Sequence, residues 1–245
     1  FASLGFEGDT ASGLTFETET VLEMGKFGAK LDFGWNRLSS DGDNLTTSAF
    51  QIAPNYWVTQ HFGIGAYYAR DNLDIDGAGG MHLDSYGLEL TARVEGVEGA
   101  LFHGKSDLDD FGSLVDVTDT GIRIVAPVSE RTTLWVTGVR TEFEVGGDNA
   151  VARSSGFGGA LDIGSGFSAF ASYHNTSVDD VDFDAKSSAI GMNYTANTSG
   201  KPIVLSAEYA DVDSESLFGD ADGSRFSVGA TILLGQAQKK RAPAN

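Results

Sequence analysis

The amino-acid sequence predicts an all-β chain that closes into one antiparallel up-and-down barrel of about 14 strands. Three observations carry this. Apolar and polar residues alternate with period two along most of the 245 residues. No apolar set recurs at helical spacing over a useful length. Short and long connections take turns along the chain, as they do when tight turns lie at one end of a barrel and loops at the other.

Taken in chain order, the opening run Ala2–Phe6 is the least marked strand. Without Phe1–Gly8 as a strand the count falls to about 12, and about 12 to 16 brackets the expectation. Leu14, Phe16, Thr18, Thr20 and Leu22 then alternate with Glu17 and Glu19. Phe27, Ala29, Leu31, Phe33 and Trp35 alternate with Lys30, Asp32 and Asn36. The run Thr46–Val58 contains Pro54, which has no N–H for a ladder, so a bulge is expected there. Tyr86, Leu88, Leu90, Ala92 and Val94 alternate with Gly87, Glu89, Thr91 and Arg93, and Ile122 and Ile124 flank Arg123. Ser155, Gly156, Gly158 and Gly159 form a small-residue run that reads as close packing or a kink within a strand. Ile190, Met192 and Tyr194 alternate with Gly191 and Asn193. Ile203, Leu205, Ala207 and Tyr209 oppose Ser206 and Glu208. The last run sets Phe226, Val228, Ala230, Ile232 and Leu234 against Arg225, Ser227, Gly229 and Thr231. The expected organisation is a barrel over residues 1–235 and a flexible polar tail over 236–245, carrying Lys239, Lys240 and Arg241. No leader is visible, so a processed chain is expected.

Bulk composition is compatible with a barrel. Hydrophobic residues are 41% of the chain and mean hydropathy is −0.12. A membrane strand meets lipid with only every second residue, so averaging hides the signal. A membrane helix is excluded, because no stretch approaches the roughly 18 consecutive apolar residues it needs. With no cysteine, disulfide scaffolds and thiolate metal sites are excluded. The net charge of −19 argues against nucleic acid and favours cations.

Three features favour lipid over a dry sandwich core. Phe27, Phe62, Phe167 and Tyr194 sit beside short turns, while Trp35, Tyr68, Tyr86, Phe143, Phe157 and Tyr173 sit toward long connections, like two interfacial girdles. The polar faces hold Glu17, Glu19, Asp32, Glu89, Arg123, Arg140 and Glu208 at mid-strand, which a wet lumen tolerates and a dry core does not. Aspartates crowd the long connections.

On these features the chain resembles a Gram-negative outer-membrane porin over essentially its whole length, and Phe226–Leu234 resembles the final strand of that family. The family usually ends on an aromatic residue, whereas this chain continues to Asn245. The resemblance implies an outer-membrane location, extracellular loops and periplasmic termini. It also implies contact with membrane lipid and lipopolysaccharide, and a monomer or a trimer. The implied function is passive diffusion of small polar solutes and ions. The expected pore-lining residues are Glu17, Glu19 and Asp32 on one wall, Arg93, Arg123 and Arg140 on a distant wall, with Glu89 and Glu208. Facing acidic and basic walls would set a transverse field. The plainer reading is that these charges only hydrate the lumen.

Other chemistry is weakly signalled. Asp74 and Asp76, or Asp220 and Asp222, resemble fragments of calcium loops, but no Glu stands at the twelfth position. A solvated acidic rim is expected, with calcium the lesser alternative and no other cofactor. His103 has Ser106 and Asp107 near it in sequence, yet nearness in sequence does not make a triad. It is expected to be a polar residue of the lumen, and the chain is not expected to be an enzyme. The alternative to a cation-biased diffusion channel is a non-conducting barrel that binds a partner through acidic loops. A soluble β-sandwich is a third reading.

Overall fold

The computed structural model describes residues 2–7, 11–40, 43–75, 79–108, 115–145, 148–179, 183–197, 202–216 and 221–232. Among them fourteen strands follow in order: β1 (Ala2–Glu7), β2 (Ala11–Met24), β3 (Phe27–Ser40), β4 (Asp43–Trp57), β5 (Phe62–Ile75), β6 (Gly79–Val94) and β7 (Val97–Leu108), then β8 (Val115–Pro127), β9 (Thr132–Val145), β10 (Asp148–Gly164), β11 (Phe167–Val178), β12 (Phe183–Asn197), β13 (Pro202–Ser216) and β14 (Ala221–Ile232). Each strand pairs antiparallel with the next, and β1 pairs with β14 to close the barrel. The opening run is therefore the closing strand. The tail 236–245 lies outside the described residues.

Local chemistry explains the tight ends. Glu95 and Gly96 both take positive φ, 52° and 88°, the pairing that matches strand twist in a two-residue hairpin. In the β4–β5 turn the Thr59 hydroxyl accepts the backbone N–H groups of His61 and Phe62 at 3.1 and 3.0 Å. Ser129 does the same for Arg131 and Thr132 in the β8–β9 turn, at 3.2 and 3.0 Å.

The opposite ends differ from expectation. Segments read as long connections are largely ladder: β3 runs to Ser40 and β4 starts at Asp43. Apart from β1, strands span 12 to 17 residues. Backbone pairing continues past the point where apolar alternation stops, because a ladder needs no apolar side chain to hold its hydrogen bonds.

The strands are tilted. One row of direct partners starts at Met24 beside a turn and passes through Phe27, Tyr56, Ile64, Leu90, Leu101 and Ile122. It continues through Gly138, Ser155, Asn175 and Lys186 to Asp213 and Asp222 at the far rim. A row that climbs from rim to rim in one circuit means a shift of about one residue per strand. Its residues change from apolar to charged as it climbs.

Direct partners share a face, so this row and its alternates define the outer surface. From the turns to about mid-height that surface is apolar and exposed: Leu88 is 70% exposed, Ile190 63% and Leu90 60%. Side chains this large cannot be core residues at such exposure, and the outer face is built for hydrocarbon. Aromatics bound the band. Phe27 packs at a tilt against Tyr56 with ring centroids 4.9 Å apart and Phe167 against Tyr194 at 4.6 Å beside the turns, and Phe157 meets Tyr173 at 5.6 Å toward the loops. Phe143 departs from the expected girdle. It pairs with Val117, which is 3% exposed, and lies on the inner face.

The bulge expected at Pro54 is absent. Ile52 pairs with Tyr68 and Asn55 with Gly65, so the register is the same on both sides of the proline. The missing N–H is accommodated by a lapse of the β4–β5 ladder over Ala53 and Pro54. A shift of register lies instead between Asp162 and Gly164, where the Asp162 carboxylate accepts the Gly164 N–H at 2.9 Å.

Candidate functional site

The inner face is the candidate site. Fourteen strands enclose more than the side-chain-filled interior of an eight-stranded barrel. Charged groups line this interior, and several stay accessible: Arg123 and Asp71 are exposed, while Lys30, Asp32, Glu89 and Glu208 are half-buried.

On the β2–β3 wall, Glu19 pairs directly with Asp32. Like charges directly opposite would repel, and Lys30 resolves this by bonding both, at 3.2 Å to Glu19 and 2.8 Å to Asp32. Glu17 pairs with Gly34 in the register, and its side chain lies outside the described residues. Glu89 pairs with Gly65 and Phe102. Arg123 pairs with Ala100 and Thr137, five strands from β3 and so well across the lumen. Glu208 bonds Arg225 at 3.3 Å. The climb of the register rows brings Glu19, Asp32, Glu89, Arg123 and Glu208 into one band near mid-height.

Two of the expected basic residues are placed otherwise. Arg93 is on the inner face but at the turn end, bonded to Glu98 at 2.9 Å and lying over the Trp57 ring at 4.8 Å. It lines a mouth cavity of about 520 Å³ together with Glu23, Lys26 and Gln60. Arg140 is on the outer face. It is the partner of Thr120 and Arg153, and its parity is that of Leu134 and Val136, which are 44% and 50% exposed. The opposite parity belongs to Trp135 at 5%. The basic wall therefore contains Arg123, without Arg140. His103 is also on the outer face, beside Leu88 and Thr120, with Nδ1 2.8 Å from the Thr120 hydroxyl. Ser106, three residues on, faces the lumen, so the two cannot act together.

Several lumen features were not singled out from the sequence. The Asp119 carboxylate accepts the Ser106 hydroxyl at 3.0 Å and the Thr141 hydroxyl at 2.6 Å, and Ser85 adjoins Ser106 at 2.7 Å. Four aromatic side chains lie flat on the inner wall, each across from a glycine: Tyr67 over Gly87, Phe102 over Gly121, Trp135 over Gly158 and Phe170 over Gly191. Within the small-residue run Ser155, Gly156, Gly158 and Gly159, two glycines serve close approach of side chains: Gly158 lies beneath Trp135, and Gly156 beneath His174. At the loop end a cavity of about 580 Å³ is lined by Asn36, Thr47, Asp71 and Arg225.

Of the calcium candidates, Asp74 and Asp222 are at the loop end of β5 and β14, and Asp76 and Asp220 lie outside the described residues. Among the described residues, no three His, Asp or Glu side chains are gathered to hold a metal.

No protein-family model matches the chain, and no curated protein does. Solved structures do match. The monoaromatic hydrocarbon channel CymD aligns with TM-score 0.58 at 11% identity, over 93% of this chain and 86% of that one. OmpT, an outer membrane protein of Vibrio cholerae, aligns with TM-score 0.56 at 12% identity, over 94% and 93%. An anion-selective porin from Comamonas acidovorans gives 0.55 at 11% identity, over 94% and 95%. The shared feature is the fold, that of outer-membrane β-barrels.

Proposed function

We propose that this barrel is a bacterial outer-membrane channel for passive diffusion of small polar solutes and ions, biased toward cations. One observation carries the reading: a closed barrel turns an exposed apolar band outward and an accessible, charged wall inward. Charges on an inner wall need water, and a band of exposed apolar side chains needs lipid. The shared fold of solved outer-membrane channels supports the same reading. The short turns would then face the periplasm and the loops the exterior.

Selection follows from bore and charge. Among the described inner residues, carboxylates such as Glu19, Asp32, Asp71, Glu89 and Asp119 outnumber the cations Lys30, Arg93, Arg123 and Arg225. Their excess raises the local concentration of cations. Arg123, across from the Glu19–Asp32 wall, adds a transverse field to the mid-height band. The reading is non-enzymatic and needs no cofactor.

Liposome swelling tests diffusion directly. Vesicles carrying the folded protein should admit monosaccharides fast and larger oligosaccharides progressively more slowly. Exclusion of even a monosaccharide by inserted, folded protein would overturn the proposal.

A further inference from the structure

The outer face of β7–β10 carries a row of polar side chains on the loop side of its apolar ones: Leu101 and Ile122 share a register row with Gly138 and Ser155, and Val136 and Phe157 lie one row nearer the turns. Leu101, Ile122, Val136 and Phe157 are 54%, 40%, 50% and 58% exposed. The row above Leu101, Ile122, Gly138 and Ser155 is formed by the direct partners His103, Thr120, Arg140 and Arg153. Arg140 and Arg153 therefore stand side by side on adjacent strands, two cations directly opposite, an arrangement that is unfavourable without anions nearby.

Among the described residues each guanidinium has one carboxylate partner, Glu142 for Arg140 and Asp179 for Arg153. One carboxylate uses at most two of the five N–H donors of an arginine. Both side chains also remain accessible, at 52% and 54%. The contrast on the same outer face is Arg70. There the Asp84 carboxylate takes both Nε and Nη2 of Arg70 and also the Tyr68 hydroxyl at 2.7 Å, and the residues directly opposite Arg70 are Phe50 and Asp84.

We propose that Arg140 and Arg153 together bind the phosphate of a membrane-lipid head group, with its acyl chains lying along Leu101, Ile122, Val136 and Phe157. The position is decisive: the pair is at the upper edge of the apolar band, where a lipid places its phosphate. Guanidinium forks match phosphate geometry. The proposal rests on reading the chain as a membrane barrel, but not on its conducting.

The test uses the full chain in detergent micelles, with native mass spectrometry counting retained lipid. The probes are phosphatidic acid and a diacylglycerol with the same acyl chains, with inorganic phosphate as a competitor. The wild type should retain phosphatidic acid at least tenfold over diacylglycerol, in the presence of EDTA and against millimolar inorganic phosphate. The double variant R140Q/R153Q should lose that preference at least tenfold while keeping its heat-modifiable migration and its conductance. R70Q should keep the preference. Equal retention of the two lipids, an unchanged preference in R140Q/R153Q, or loss of binding in EDTA would overturn the proposal. Protein that fails to float with vesicles would instead overturn the membrane-barrel reading beneath it.

Discussion

Lys30 holds the centre of the acidic wall. It separates Glu19 from Asp32 and leaves the three side chains with one net negative charge. Replacing it with Gln should raise cation preference, read as a larger reversal potential in a salt gradient, whereas E19Q/D32N should lower it. An unchanged potential in both variants would remove this wall from selection. The glycines opposite the lumen aromatics make a second residue-scale prediction. A methyl group on Gly158 or Gly191 would overlap the Trp135 or Phe170 ring, so G158A and G191A should push those rings into the lumen. Each should cost about 1–3 kcal/mol in urea unfolding and lower the single-channel conductance. At this scale the sequence was legible where one face is plainly polar, as at Glu19, Asp32 and Glu89. It misled at Arg140 and Phe143, because β9 alternates between two apolar sets: Leu134 and Val136 outside, Trp135 and Val139 inside. A one-residue choice of parity there sends every later side chain to the other face. His103 was misplaced for the same reason: Ala100 and Phe102 are inside while Leu101 is outside.

The strands were legible as elements because each exposes one continuous apolar face over its lower part. Their upper parts were not, because alternation of hydrophobicity ends at Tyr86 in β6 and at Tyr209 in β13, while the ladders run on to Gly79 and Ser216. Pro54 was read from its missing donor alone. A lapse of two pairings satisfies that loss as well as a bulge does and disturbs the register less. The two faces of a strand make opposite predictions for a charge. L90R places a cation on the lipid face near mid-height and should cost about 2–4 kcal/mol in vesicle-bound unfolding. T137E, on the lumen face of β9 and directly opposite Arg123, should be tolerated within about 0.5 kcal/mol. Equal penalties for the two would contradict the assignment of faces.

Closure is a property of the whole molecule and rests on the shortest strand. β1 spans 6 residues, against 12 for β14 and 14 for β2, and it pairs antiparallel with both. Without it β2 and β14 would run parallel and could not continue the up-and-down pattern. Deleting residues 1–7 should therefore abolish the heat-modifiable migration of the folded barrel. The alternation of tight turns with longer stretches lacking apolar periodicity made this topology readable from sequence, although those stretches are largely ladder, whereas the pitch that gathers the lumen charges into one band depends on inter-strand register, which no single strand encodes. The most direct measurement of the central claim is conductance of the refolded protein in a planar bilayer under a salt gradient. A water-filled acidic lumen predicts stable channels with a cation-selective reversal potential. Absence of conductance from protein shown to be inserted and folded would contradict it and leave a plugged or partner-binding barrel.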